Sequence, residues 1–149
     1  MADRTKVRDW MTPKPVTVEA STSIVEAVHL LKEKKVRRLP VMKNGKLVGL
    51  VTERMLLSYM PGKATSLDTW EVHYLLAKTP VTAAMNPKPH TVTPDTDLAD
   101  CAKLIHDRKL NGITVVDSKG DLVGILTTTN ALEALIYFAA EAKKANGKK

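Results

Sequence analysis

The chain spells its opening motif twice. Val7-Arg8-Asp9-Trp10-Met11-Thr12-Pro13-Lys14-Pro15 returns 74 positions later as Val81-Thr82-Ala83-Ala84-Met85-Asn86-Pro87-Lys88-Pro89. Thr17-Val18, Leu30 and Val41 return at the same offset as Thr91-Val92, Leu104 and Val115. Farther on the offset becomes 75, and Gly45, Leu47, Val48, Gly49 and Thr52 match Gly120, Leu122, Val123, Gly124 and Thr127. Two copies exclude a long solenoid, which needs about three or more stacked units. Each copy, at roughly 50–60 residues, is near the lower limit for an independent core. The copies are therefore expected to share apolar surface as a pseudo-symmetric pair.

The change of offset falls inside a turn. Asn44-Gly45 is the strongest two-residue hairpin signal. Its counterpart, Asp117-Ser118-Lys119-Gly120, is one residue longer with glycine late, as in a three- or four-residue hairpin loop. An insertion there leaves the flanking strands in register.

Each copy gives the order β-α-β-β-α. Val16-Thr17-Val18 and His90-Thr91-Val92 are short β runs. Ser23 and Glu26 have capping-box spacing, and Ile24, Ala27, Val28 and Leu31 fall on one helical face. In copy two Asp95 or Asp97 caps, and Leu98, Cys101, Ala102 and Ile105 line the face. The runs at 39–42 and 47–51, and at 113–116 and 122–126, suit strands buried on both faces. A second helix starts near Thr52 or Thr127, and the last one covers about 129–144. Residues 1–60 form repeat one, 61–80 a connecting segment, and 81–149 repeat two with its terminal helix. A connecting helix over 67–78 has Asp68 as cap and a stripe of Trp70, His73, Tyr74, Leu76 and Ala77. Leu132, Leu135, Ile136 and Ala139, broadened by Tyr137 and Phe138, make an apolar surface suited to a dimer.

Composition narrows the function. The chain is 44% hydrophobic, enough for one domain or two small ones. The N-terminus has no apolar signal core, and no apolar run approaches the ~18–20 residues of a membrane span. A cytoplasmic protein without a membrane partner is expected. The single cysteine, Cys101, excludes an intrachain disulfide and a multi-cysteine zinc site. His29, His73, His90 and His106 show no paired metal spacing, and no P-loop or catalytic triad motif is legible. The chain is expected not to be an enzyme. A net charge of +7 favours anionic partners, or is solubility plus the lysine-rich tail.

The β-α-β-β-α order, the opening VRDWMTPKPVTV and the junctions GLVTERM and GILTTTN together resemble a tandem pair of cystathionine-β-synthase (CBS) domains. The similarity covers residues 7–137. The link WEVHYLLAKTPVTAAMNPKP is similar to that of stand-alone, acetoin-utilisation-like pairs. The resemblance implies an α/β (α+β) fold, with two pseudo-symmetric units packed sheet to sheet and two clefts between the repeats. It also implies adenosine ligands there (AMP, ADP, ATP or S-adenosylmethionine), a homodimer formed through helices, and a regulatory role without a required cofactor.

Carried onto this sequence, the resemblance puts adenine between Thr17-Val18 and Arg38-Leu39-Pro40, and between Thr91-Val92 and Gly112-Ile113-Thr114. Thr114 departs from the proline seen as Pro40. At the junctions, Thr52 and Thr127 are helix caps or phosphate donors. Three residues on, the family usually has an aspartate that accepts from ribose hydroxyls. Here copy one has Met55, which cannot accept strongly, and copy two has Asn130. Asn130 is either a ribose acceptor or a polar first-turn residue. Arg37, Arg38 and Arg54 of copy one are solvated surface or hold phosphate; copy two has Thr129 at the position of Arg54. A polyphosphate using copy-one charge and the copy-two acceptor fits this division. The competing expectations are a nucleic-acid-binding surface around Lys32, Lys34, Lys35, Arg37 and Arg38, or a protein-partner adaptor.

Overall fold

Local signals set the hairpins. A computed structural model describes residues 3–59 and 68–147. Pro61-Gly62, Leu67 and Lys148-Lys149 lie outside the described residues. Strands β3 (Arg38–Lys43) and β4 (Lys46–Thr52) are joined by Asn44 and Gly45, with φ of 51° and 76°. Two successive positive φ values are those of a type I′ turn, which matches strand twist. Between β6 (Gly112–Val116) and β7 (Leu122–Thr127), the Asp117 amide donates to the Asp121 carbonyl. Ser118, Lys119 and Gly120 form the loop, with Gly120 at φ 84°. The Asp117 carboxylate accepts from the Lys119 and Asp121 amides and fixes the turn. Both hairpins also carry a bulge. Val41 pairs with Gly49 but Met42 with Leu47, and Val115 pairs with Gly124 but Val116 with Leu122. The register skips Val48 and Val123, the residues just before the repeated glycines.

The other elements are β1 (Thr12–Pro13), β2 (Val18–Glu19), α1 (Ile24–Lys34), α2 (Glu53–Tyr59), α3 (Thr69–Lys78), β5 (Thr91–Val92), α4 (Leu98–Asp107) and α5 (Thr128–Gly147). They form two sheets, β2-β3-β4 and β1-β7-β6-β5. In each, the short first strand of the repeat runs parallel to the next strand, which pairs antiparallel with the last. Leu39, Pro40 and Val41 are buried consecutively, as are Ile113, Thr114 and Val115. This is the pattern of strands covered on both faces.

Compactness divides the chain differently from repeat order. A continuous unit spans Pro15–Pro89; a split unit joins the described residues up to Lys14 to those from His90 on. Each repeat's leading segment thus packs with the other repeat's hairpin. Thr12 pairs with Ile125, and its counterpart Asn86 pairs with Leu50. Val7 is fully buried with Leu98, Cys101 and Leu126, whereas Val81 is fully buried with Ile24, Leu31 and Leu56. Small repeats gain core area by this exchange, which is how the expected sharing of apolar surface is realised.

Helix starts differ from expectation in copy two. Ser23 accepts from the Glu26 amide and Asp68 forms a full capping box with Glu71. Asp97 occupies the cap position of α4 but makes no side-chain cap bond; it pairs with Lys6, and Asp95 pairs with Arg8. The carboxylates anchor the incoming leader instead. The stripe expected on α3 is also rotated. Val72 and Leu76 face the core, whereas Trp70 is 83% exposed and Tyr74, His73 and Ala77 are exposed too. Helix α3 packs on α1 through one narrow face, and the aromatics fall outside it.

Candidate functional site

Both units build the same corner, where a central strand ends beside the start of a helix. In the continuous unit, Arg38 pairs with Thr52 across β3 and β4, and the Glu53 amide donates to the Arg37 carbonyl at 2.9 Å. In the split unit, Gly112 pairs with Thr127, and the Thr128 amide donates to the Asn111 carbonyl at 3.0 Å. Repeat symmetry therefore extends to the backbone bonds that pin each helix to its hairpin.

The side chains at the two corners differ. The Thr52 hydroxyl accepts from the Met55 amide at 3.1 Å, so it caps α2. Met55 adds only an apolar side chain. In the split unit the Asn130 carboxamide oxygen accepts from the Thr127 amide at 2.8 Å and from its hydroxyl at 3.1 Å. The Asn130 amide reaches the Thr127 hydroxyl at 3.4 Å, and its side-chain nitrogen lies 3.4 Å from a Glu133 carboxylate oxygen. Asn130 is thus bonded within the first turn of α5, where its oxygen has two donors.

Thr17, Arg37 and Arg54 are exposed, and Arg38 and Thr52 half-buried, in the continuous unit. In the split unit, Thr91 and Thr129 are exposed, and Val92, Gly112, Thr127 and Asn130 half-buried. Five of the expected site residues are core residues. Val18, Leu39, Pro40, Ile113 and Thr114 have buried side chains. The Thr114 hydroxyl donates to the His90 carbonyl at 2.9 Å and ties the residue before β5 to β6, a bond that the proline of copy one cannot make.

Arg38 is the electrostatically distinctive group. Burial, and then the neighbouring Arg37 charge, push its guanidinium below the usual arginine range. Among the described residues no carboxylate pairs with Arg37, Arg38 or Arg54.

Two residues that support these corners were not identified from sequence. A Cβ on Gly124 would stand 2.7 Å from the Met11 sulfur, and one on Gly49 would collide with the Met85 sulfur. Each methionine belongs to the exchanged leader. Their signal was the recurrence of Met11 as Met85 beside that of Gly49 as Gly124, but sequence did not join the two pairs.

A duplicated β-α-β-β-α unit, with exchanged leaders and a Gly-x-x-Thr corner in each copy, defines a paired-repeat module. The sequence model of the CBS domain matches residues 7–62 and again 81–137, so this chain belongs to the CBS domain family. It is 37% identical over 155 residues to the chloroplastic CBS domain-containing protein CBSX2 of Arabidopsis thaliana, covering 91% of this chain and 65% of that protein. The chain thus spans about two thirds of the length of that curated relative. The crystal structure of CBSX2 in complex with AMP superposes with a TM-score of 0.75, over 91% of this chain and 98% of that one. The acetoin utilization protein AcuB from Vibrio cholerae is 28% identical with a TM-score of 0.76, covering 93% of this chain and 96% of AcuB. The cytosolic domain of the Mg2+ channel MgtE, solved with ATP, is 27% identical with a TM-score of 0.70, over 89% of this chain and 49% of that one. No helix among the described residues is long and apolar enough to cross a membrane.

Proposed function

We propose that this chain is a non-catalytic regulatory module that senses an adenosine-containing small molecule through the strand-to-helix corners of its repeats. The observation that carries the reading is one corner built twice: Arg38–Thr52 and Gly112–Thr127 are equivalent pairs, each followed by a helix pinned to its hairpin. The AMP complex of CBSX2 and the ATP complex of the MgtE domain support it. AMP, ADP, ATP and S-adenosylmethionine are the candidate ligands, and no cofactor is needed.

The mechanism is differential binding. A ligand that binds one arrangement of the chain more tightly than another shifts their populations by that difference alone. The module is a homodimer in this reading, with Leu132, Leu135 and Ile136 of α5 supplying exposed apolar surface, and it works in the cytoplasm. Thermal denaturation with each candidate ligand at millimolar concentration tests the function. A rise in Tm with at least one is expected, because a ligand that binds only the folded state stabilises it; unchanged Tm with all of them contradicts it.

A further inference from the structure

Helix α3 lies between the two segments that match the CBS model, so neither repeat accounts for its outer face. At about 3.6 residues per turn, Trp70, Tyr74, Lys78, Glu71 and Leu75 share that face, turned away from the Val72 and Leu76 side that meets the core. Trp70, Tyr74 and Leu75 are 83%, 59% and 50% exposed. With Glu71 they line one shallow hollow. Contiguous exposed apolar side chains rimmed by charge mark a contact surface.

The two charges on this face are held in place. Glu71 accepts from the Asp68 amide at 3.2 Å in the capping box that starts α3. The Lys78 nitrogen lies 4.2 Å from the centroid of the Tyr74 ring and 2.5 Å from its hydroxyl. Neither Glu71 nor Lys78 has an ion-pair partner among the described residues. Charges fixed in advance cost less to pair on association.

The face is complementary to itself reversed. Glu71 and Lys78 stand equally far from the midpoint between Tyr74 and Leu75. A two-fold axis at that midpoint sets a second α3 antiparallel to the first. Glu71 of each copy then lies opposite Lys78 of the other, and Tyr74 opposite Leu75, as an isologous contact requires. Parallel packing instead sets Glu71 on Glu71 and Lys78 on Lys78, which repel.

We infer that the outer face of α3 pairs antiparallel with the same face of a second copy, as an interface separate from the exposed face of α5. One helix face buries less than a standard interface. The association is therefore weak, with a dissociation constant on the order of 0.1 mM.

Sedimentation equilibrium of the full chain, from micromolar to millimolar concentration, tests this. The mass present at micromolar concentration should double as concentration rises. Leu75→Glu should abolish that step. Glu71→Lys sets positive on positive across the axis, and Lys78→Glu sets negative on negative, so each alone should weaken the step about tenfold. An equimolar mixture of these two variants should restore it, because every facing pair is then of opposite sign. Damage to the capping box or to the helix itself persists in the mixture, so restoration reports the contact. Circular dichroism establishes that each variant is folded. A wild-type mass that does not rise overturns the inference, as does a mixture that associates no better than its components. If Leu135→Glu with Ile136→Glu also abolishes the step, the α5 face accounts for it and the inference fails.

Discussion

Asn130 and Thr127 close on each other at the start of α5. The Asn130 oxygen accepts from both the amide and the hydroxyl of Thr127, at 2.8 and 3.1 Å. Asn130 thus completes the Thr127 cap reciprocally and is also the proposed polar contact for a nucleoside. Asn130→Ala should lower stability by about 1 kcal/mol, the usual worth of a helix-start cap, and should weaken nucleotide binding. Met55→Ala should weaken binding less, since methionine offers no strong acceptor. Asn130→Asp should keep the Thr127 bonds and the Tm. Calorimetry and thermal melts on the three variants check this; equal binding losses for Asn130→Ala and Met55→Ala would reverse the ranking of the corners.

Gly49 and Gly124 are required by the leaders that cross them. Alanine at Gly124 places its Cβ 2.7 Å from the Met11 sulfur and 3.0 Å from the Thr12 carbonyl oxygen. The methionine can shift but the backbone carbonyl cannot easily do so. Gly124→Ala and Gly49→Ala should each cost about 1–3 kcal/mol by overpacking, measured by urea denaturation. Substitution at Gly120, where no atom lies within 4 Å, meets strain from its φ of 84° and no steric clash.

Val7 and Val81 report the exchange of leaders. Both are fully buried, each with the hairpin of the other repeat. Val7→Ala and Val81→Ala should each remove about 1.5–3 kcal/mol of burial. Each repeat expressed alone, as residues 1–60 or 81–149, should fail to give a cooperative melt.

Cys101 is an inert core thiol. Burial pushes its pKa up to about 11. The folded state therefore holds the proton more tightly than the unfolded chain, whose thiol titrates near about 8.5. The associated stability is complete below that value and is lost as pH rises toward the folded value. Reaction with a thiol reagent at pH 8 should be slow in the native protein and fast in urea.

The exposed face of α5 carries Leu132, Leu135 and Ile136. Leu135 and Ile136 are 62% and 70% exposed in the single chain. Leu135→Glu combined with Ile136→Glu should convert a dimer to a monomer in sedimentation, with the melting temperature of the fold little changed. A wild-type monomer at all concentrations would remove this part of the reading.

The fold was legible because duplication writes each signal twice. Asn44-Gly45, the α1 face and the apolar strand runs all act through neighbours within a few residues. The leader exchange was not legible, because Val7 and Val81 have the same local sequence role whichever hairpin they meet. The helix-start bonding of Thr52, Thr127 and Asn130 was legible, because capping chemistry is local. The complete burial of Leu39, Pro40, Ile113 and Thr114 was less so, because periodicity cannot say what covers each side of a two-sided strand. Nor could sequence show that Arg38 is half-buried without a carboxylate partner among the described residues, since that depends on the strand opposite.

Ligand binding itself is measured most directly by calorimetric titration of the full chain with AMP, ADP, ATP and S-adenosylmethionine. Saturable heat with at least one of them is the predicted result. Absence of heat with all four at millimolar concentration, from a chain that melts cooperatively, would contradict the account.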